Sequence, residues 1–220
     1  MNAAQQYLLD SVGFVVAKAA IPSSLINKLI PHVGHIHTPS KFAYADSDPI
    51  FKELLCHHWI INSCRNTIGP HFRLDHAFGI KQAKGKGENL HGGPFYCQGS
   101  CYYFNHDGHI QCGRVTIGIA LTKQTRETGG FCYIPGSHKS GSSLGGSKVL
   151  QFTGFENTVV PDLEPGDIYF FPDCLVHGCT PWRENNSRVA LYAGYCPAHM
   201  NWARNHLPFN PQTTLEKSLL

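Results

Sequence analysis

Apolar positions in the first third of the chain fall at helical spacing. Residues 3–10 read as a short helix and residues 13–17 as a strand after it. Leu25, Ile26, Leu29 and Ile30 line one side of a 3.6-residue period behind Pro22, which suits a first turn, so a helix is predicted over residues 21–30. Residues 51–55 and 59–68 are further helix candidates. These helices are expected to form a layer against a sheet and to carry no chemistry.

From Phe78 the pattern changes to short apolar or alternating runs broken by Gly, Pro, Asn and Asp. The runs lie near residues 78–83, 100–104, 112–121, 130–134, 148–152, 157–160, 166–171 and 187–196. Strands at this spacing predict a mainly β fold, a double-stranded β-helix (a cupin-like jelly roll) with the N-terminal helices packed outside. No internal repeat or second domain is visible. The expected organisation is one domain over residues 1–220, with a mostly helical outer layer (1–77), a jelly-roll core (78–200) and a C-terminal tail (201–220). Residues 140–147, rich in Gly and Ser, read as a flexible loop that could act as a lid.

Composition narrows the partners. Only 15% of the 220 residues are charged, against 22 Gly and 14 Pro, which suits a turn-rich β fold. The net charge of +3 comes without a block of like charge, so neither a nucleic acid nor a membrane surface is an expected partner. Nine cysteines form no repeating C-x-x-C pattern, and the N-terminus lacks a charged and apolar leader. A reducing, cytoplasmic setting is therefore expected. No apolar run reaches bilayer length. Cys97 and Cys101 would need further ligands to hold zinc.

The chemistry concentrates late in the chain. An apolar run ending at Phe170-Phe171-Pro172 leads to His177, and eleven residues further Arg188 opens a second strand-like run. If the two runs are adjacent antiparallel strands, His177 and Arg188 can point into one cavity, as a metal ligand and a carboxylate anchor. A second metal ligand is required upstream, and His91 in Leu90-His91-Gly92-Gly93 is the best candidate. Taken singly, either histidine could be an ordinary core residue and Arg188 an ordinary surface arginine. Their combination raises them above that.

The chain resembles the phytanoyl-CoA dioxygenase family of Fe(II)- and 2-oxoglutarate-dependent oxygenases. The resemblance is carried by Gly13-Phe14-Val15-Val16, by Gly129-Gly130-Phe131 with Pro135-Gly136-Ser137-His138, and by Pro165-Gly166-Asp167 leading to His177 and Arg188. It implies Fe(II) held by His91 and His177, and 2-oxoglutarate held through its distal carboxylate by Arg188. Cys179, Thr180 and Gln82 are candidates for further cosubstrate contacts. The implied partners are O2 and a small-molecule substrate.

One departure stands out: the family's His-x-Asp pattern is here His91-Gly92-Gly93, and glycine has no side chain to coordinate with. Three readings follow. A halide, chloride above all, could occupy the place left by Gly93, as in the halogenases this His-x-Gly pattern resembles. Iron could instead be held by two histidines with water or a carboxylate from elsewhere, Asp107 and Asp173 being candidate sources, and the enzyme would hydroxylate. In the third reading the fold binds a ligand without redox chemistry. His106, followed by Asp107 and Gly108, is a poorer match to the first ligand. His138 reads as structural, His57, His58, His71, His76 and His109 stay unassigned, Trp182 and Tyr192 read as core or cavity-wall aromatics, and Lys81 as a solvated strand position.

Overall fold

The computed structural model describes residues 1–33, 49–93, 101–140, 157–200 and 213–218. Helix α1 (Ala3–Val12) is set by its ends. Asn2 and Gln5 form a reciprocal capping box, and Gly13 closes the helix in the left-handed conformation with its N–H on the Leu9 carbonyl. Strand β1 (Val15–Ala17) follows, then helices α2 (Ser23–Val33), α3 (Pro49–Leu55) and α4 (His58–Thr67). All lie where the periodicity places them, although α2 runs on through Pro31 into its last turn.

Ten strands are described. After β1 come β2 (Phe72–Gln82), β3 (Glu88–His91), β4 (Tyr103–His106), β5 (His109–Cys112), β6 (Val115–Ala120), β7 (Gly130–Tyr133), β8 (Ile168–Pro172), β9 (His177–Thr180) and β10 (Arg188–Pro197). They make a five-stranded sheet ordered β1-β8-β6-β10-β2, a three-stranded sheet ordered β3-β9-β7 and the β4-β5 hairpin. A short helix α5 (Thr214–Ser218) lies in the expected tail, with Leu215 packed against the core.

The differences from expectation are local. Strand β2 starts at Phe72, so the expected boundary at residue 77 cuts through it. The run at 157–160 contributes only an isolated bridge, Tyr133 to Val159. The run at 148–152, residues 141–147 of the expected lid, and Cys97 lie outside the described residues. The runs ending at Phe171 and starting at Arg188 are not neighbours, because β6 lies between β8 and β10. His177 belongs to the other sheet, on β9.

Strand alternation sorts the side chains into layers. One face of the large sheet packs on the helices through a cluster that includes Leu29, Phe51, Ile60, Ile117, Phe170 and Leu191. The opposite face meets the small sheet through Phe14, Phe131, Tyr133, Tyr169, Phe171 and Tyr192. Pairing across the large sheet sets its inward residues in rows: Phe171, Thr116, Gly194 and His76 in one, and Tyr169, Gly118, Tyr192 and Phe78 in the next. The site is built against these rows.

Candidate active site

Strands β3 and β9 pair antiparallel with His91 directly opposite His177. Their rings lie 4.3 Å apart between centroids. In each, Nδ1 bonds the carbonyl two residues earlier, Asn89 O at 2.9 Å and Leu175 O at 2.7 Å. A carbonyl can only accept, so Nδ1 carries a proton in both rings and Nε2 is the nitrogen left to face a metal. Burial, with the neighbouring His91 second, pushes His177 down to about 3, so its ring is neutral at physiological pH. Phe171 and Phe131 flank it, with centroids at 4.6 Å and 6.0 Å.

Close backbone contact aligns the two strands. A Cβ on Gly92 would collide with the Leu175 carbonyl, and the Gly93 N–H donates to Cys174 O at 3.1 Å. The turn at residues 173–175 is braced by Asp173, whose buried carboxylate accepts from Arg114 and Thr116. Burial raises the Asp173 pKa, but Arg114 and Thr116 outweigh it and hold the group below the usual carboxylate range. Asp173 is thus committed to this brace. Asp107 sits in the exposed hairpin turn beside His106, 87% exposed at the side chain. Neither joins the two histidines, and among the described residues no group of three or more His, Cys, Asp or Glu could hold a metal.

Gly93 is buried with φ at +100°, and among the described residues a Cβ built there would meet nothing within 4 Å. A metal ion fits the pair in two respects: two imidazoles tethered at Nδ1 present Nε2 across one β-bridge, and among the described residues the position after them leaves room for a small third ligand.

Arg188 is 2% exposed. Nε donates to Gln124 Oε1 at 2.9 Å and Nη2 to the Tyr192 hydroxyl at 3.0 Å. Longer contacts run to Gln82 Oε1 (3.4 Å), the Tyr169 hydroxyl (3.4 Å) and Cys179 Sγ (3.8 Å). All these partners are neutral, the Cys179 thiol being pushed up to about 11 by burial. No carboxylate pairs with Arg188 among the described residues. A buried guanidinium without a counter-charge is costly, and an incoming carboxylate would relieve that cost. Cys179 and His177 stand two residues apart on the same side of β9, so Arg188 reaches this strand about 7 Å along from the imidazoles.

Of the residues singled out from sequence, His91 and His177 come together with Gly93 two residues after His91, and Arg188, Gln82 and Cys179 form a second group. The Thr180 hydroxyl is occupied elsewhere, accepting from Gly130 N at 3.0 Å and tying β7 to β9. Gln82 is partly committed too, its amide donating to the Lys86 and Thr180 carbonyls. Sequence reasoning missed Gln124 and Tyr169 and gave Tyr192 only a wall's role. For Tyr192 a signal existed, since it lies four residues after Arg188 on the same face of a strand.

No curated protein sequence matches the chain. Among solved structures it is similar to HygX from Streptomyces hygroscopicus with nickel and 2-oxoglutarate bound, at 22% identity and a TM-score of 0.78, over 92% of this chain and 89% of that one. HygX with nickel, 2-oxoglutarate and hygromycin B bound matches at 21% identity and a TM-score of 0.79, over 100% of both chains. The non-heme alpha-ketoglutarate-dependent epimerase SnoN from nogalamycin biosynthesis is more distant, at 15% identity and a TM-score of 0.68, over 95% of this chain and 91% of that one. At these identities the likeness speaks for a shared fold. The phytanoyl-CoA dioxygenase (PhyH) family model matches residues 27–190, which include His91, His177 and Arg188. The chain therefore belongs to the phytanoyl-CoA dioxygenase family of Fe(II)/2-oxoglutarate-dependent enzymes.

Proposed function

We propose that His91 and His177 are the protein's iron ligands, that Arg188 anchors the distal carboxylate of 2-oxoglutarate, and that the enzyme oxidises a C–H bond of a small molecule by hydroxylation or a related oxidation. The observation that carries this reading is the pairing of two Nδ1-tethered imidazoles with a buried guanidinium that has no counter-charge among the described residues. When bound, iron with 2-oxoglutarate and O2 supplies the oxidising chemistry.

The chain's own residues bind, orient and exclude water. Asn89 O and Leu175 O hold the Nδ1 protons, so each imidazole offers Nε2 without a proton being moved. Gln124 fixes the plane of the Arg188 guanidinium from its Nε side and Tyr192 takes one Nη2 bond, leaving Nη1, whose protein contacts are long, to a carboxylate. Phe131, Phe171 and Tyr169 line the space beside His177 and keep it dry. A small-molecule substrate is in keeping with the relatives, one holding hygromycin B and another nogalamycin RO.

Halogenation is the second reading, favoured by one observation: Gly93 puts no side chain where the His-x-Asp pattern puts a carboxylate, and no described residue fills the place of its Cβ. A chloride would then take that place. The test is anaerobic titration with Fe(II) and then 2-oxoglutarate, followed by aerobic assay of succinate and mass spectrometry of products with and without chloride. Succinate that depends on Fe(II) supports the enzyme, and a chlorinated product selects the halogenase. Absence of Fe(II) binding would leave a jelly-roll binding module.

A further inference from the structure

We infer that the tip of the β4–β5 hairpin is a separate metal site, in which His106 and His109 together chelate a late divalent transition-metal ion such as Ni(II), Cu(II) or Zn(II). The inference is independent of the iron assignment. Antiparallel pairing sets Tyr103 opposite Cys112, Phe104 opposite Gln111, Asn105 opposite Ile110 and His106 directly opposite His109. Strand alternation then divides the hairpin into two faces. Tyr103 and Cys112 are buried in the core, whereas the face that carries Phe104, Gln111 and both histidines is exposed.

The turn pins this pairing. Asp107 and Gly108 are the two residues between the histidines, and their φ angles are +49° and +81°. Positive φ at both central residues is what a type I′ hairpin turn requires, and Asp-Gly is among the pairs that favour it. Residues directly opposite in an antiparallel pair have Cβ atoms about 4.5–5.5 Å apart on one face. Imidazole nitrogens bind zinc at about 2.0–2.1 Å, so two rings rooted at that spacing span one ion. No packing has to be broken to bring them to it: the His106 side chain is 92% exposed, and His109 is exposed as well. The Asp107 carboxylate lies 3.5 Å from His106 Nε2 and puts a negative charge beside a bound cation, while water completes the coordination. The protein ligands are thus two imidazoles, as at the β3–β9 pair. Affinity for such nitrogen ligands rises from Mn(II) and Fe(II) toward Ni(II) and Cu(II), so this open chelate favours the later ions.

The test is calorimetric titration of the full chain with Ni(II) and, separately, with Mn(II), in wild type, His106→Ala, His109→Ala and the double variant. Each single variant should lose one Ni(II) site or bind that ion about tenfold or more weakly, because the second imidazole of a chelate acts at high effective concentration. The double variant should lose little beyond either single one, the non-additivity expected of two groups that share one ion. Mn(II) binding should stay within about twofold of wild type in all three. Substoichiometric Cu(II) should broaden the amide signals of residues 106 and 109 together in nitrogen–proton correlation spectra, and the same spectra verify that each variant is folded. The inference is overturned if either single variant binds Ni(II) within about twofold of wild type. Losses that simply add in the double variant would show two independent surface imidazoles and overturn it too, as would Mn(II) binding that falls in parallel or Cu(II) broadening that spares either histidine.

Discussion

His91 and His177 face each other across a single antiparallel bridge, their rings 4.3 Å apart and each Nδ1 tied to the carbonyl two residues before it. Neither ring has another protein ligand to share a metal with among the described residues. Loss of either should therefore be close to complete loss of the site. His91→Ala and His177→Ala are each expected to weaken Fe(II) or Mn(II) binding by about 100-fold or more, beyond the 10- to 100-fold typical of residues behind a ligand. Calorimetric metal titration checks this. Wild-type affinity in either variant would remove that histidine from the site.

Gln124 makes a separate prediction about stability. It is 1% exposed and makes four bonds: Oε1 accepts from Phe131 N and Arg188 Nε, and Nε2 donates to the Phe131 and Pro161 carbonyls. Gln124→Leu keeps similar bulk but strands four buried polar groups. A loss of about 2–4 kcal/mol is expected, from roughly 1–3 kcal/mol per unsatisfied group with partial relaxation. Urea denaturation followed by circular dichroism measures it, and a loss under about 1 kcal/mol would show that the network relaxes around the change.

The Asp173 brace predicts a larger effect. The carboxylate is 1% exposed and bonded to Arg114 and Thr116, two residues before Leu175, whose carbonyl orients His177. Asp173→Ala removes the buried carboxylate that Arg114 and Thr116 donate to, and breaking a buried ion pair costs about 3–5 kcal/mol. Metal affinity should fall with it, because the turn carrying His177 loses its tie to β6. A variant with lowered unfolding midpoint and unchanged metal affinity would separate the brace from the site.

Much of this was legible in the sequence because local pattern and tertiary demand agreed. Helix α1 has both its cap residues in the chain, and the apolar positions of α2 fit a 3.6-residue period. Strands β3, β5 and β9 were not legible. Each has four residues and carries polar or small residues where a strand signal needs branched ones, as in His177-Gly178-Cys179-Thr180. They are strands because neighbours pair with them: Gly178 lies so close to the β3 backbone that a Cβ would press on the Asn89 and Glu88 carbonyls. The partners of Arg188 were hidden for the same reason. Gln124 lies in a connection 64 residues away in sequence, and only the sandwich of two sheets brings it to the guanidinium.

His138 predicts a pH dependence. It is 2% exposed, its Nε2 donates to Asp10 O at 3.0 Å, and its Nδ1 is buried with no hydrogen-bond partner among the described residues. Burial pushes its pKa down from the ordinary 6.5 to about 4. Between those values the unfolded chain binds more protons than the folded one. Stability is therefore full above about pH 6.5 and falls as the pH drops toward about 4, by up to about 1.4 kcal/mol per pH unit from this group. His177, pushed down to about 3, acts with the same sign. His138→Gln should flatten part of the slope, seen in urea midpoints measured across this window. An unchanged slope would mean that His138 is already neutral-to-charged in the folded chain as it is in the unfolded one.

Gly93 is the position where backbone and chemistry meet. Its φ of +100° is one that residues with a side chain rarely adopt, although no described residue lies within 4 Å of where a Cβ would enter. The two facts predict opposite things about substitution, and they are separable. Gly93→Ala should cost about 1–2 kcal/mol from backbone strain alone, with little change in metal affinity because nothing is displaced. Gly93→Asp should carry the same strain while adding a carboxylate two residues after His91. If chloride occupies this place, Asp should abolish chlorination while leaving succinate formation in place; if water does, Asp should raise metal affinity or leave it unchanged, and product mass should not depend on chloride in either form. Denaturation midpoints, metal titration and product mass spectra on the three proteins together decide it. An Ala variant as stable as wild type would show that the +100° backbone is not held in the folded protein, and an Asp variant still able to chlorinate would place the halide elsewhere.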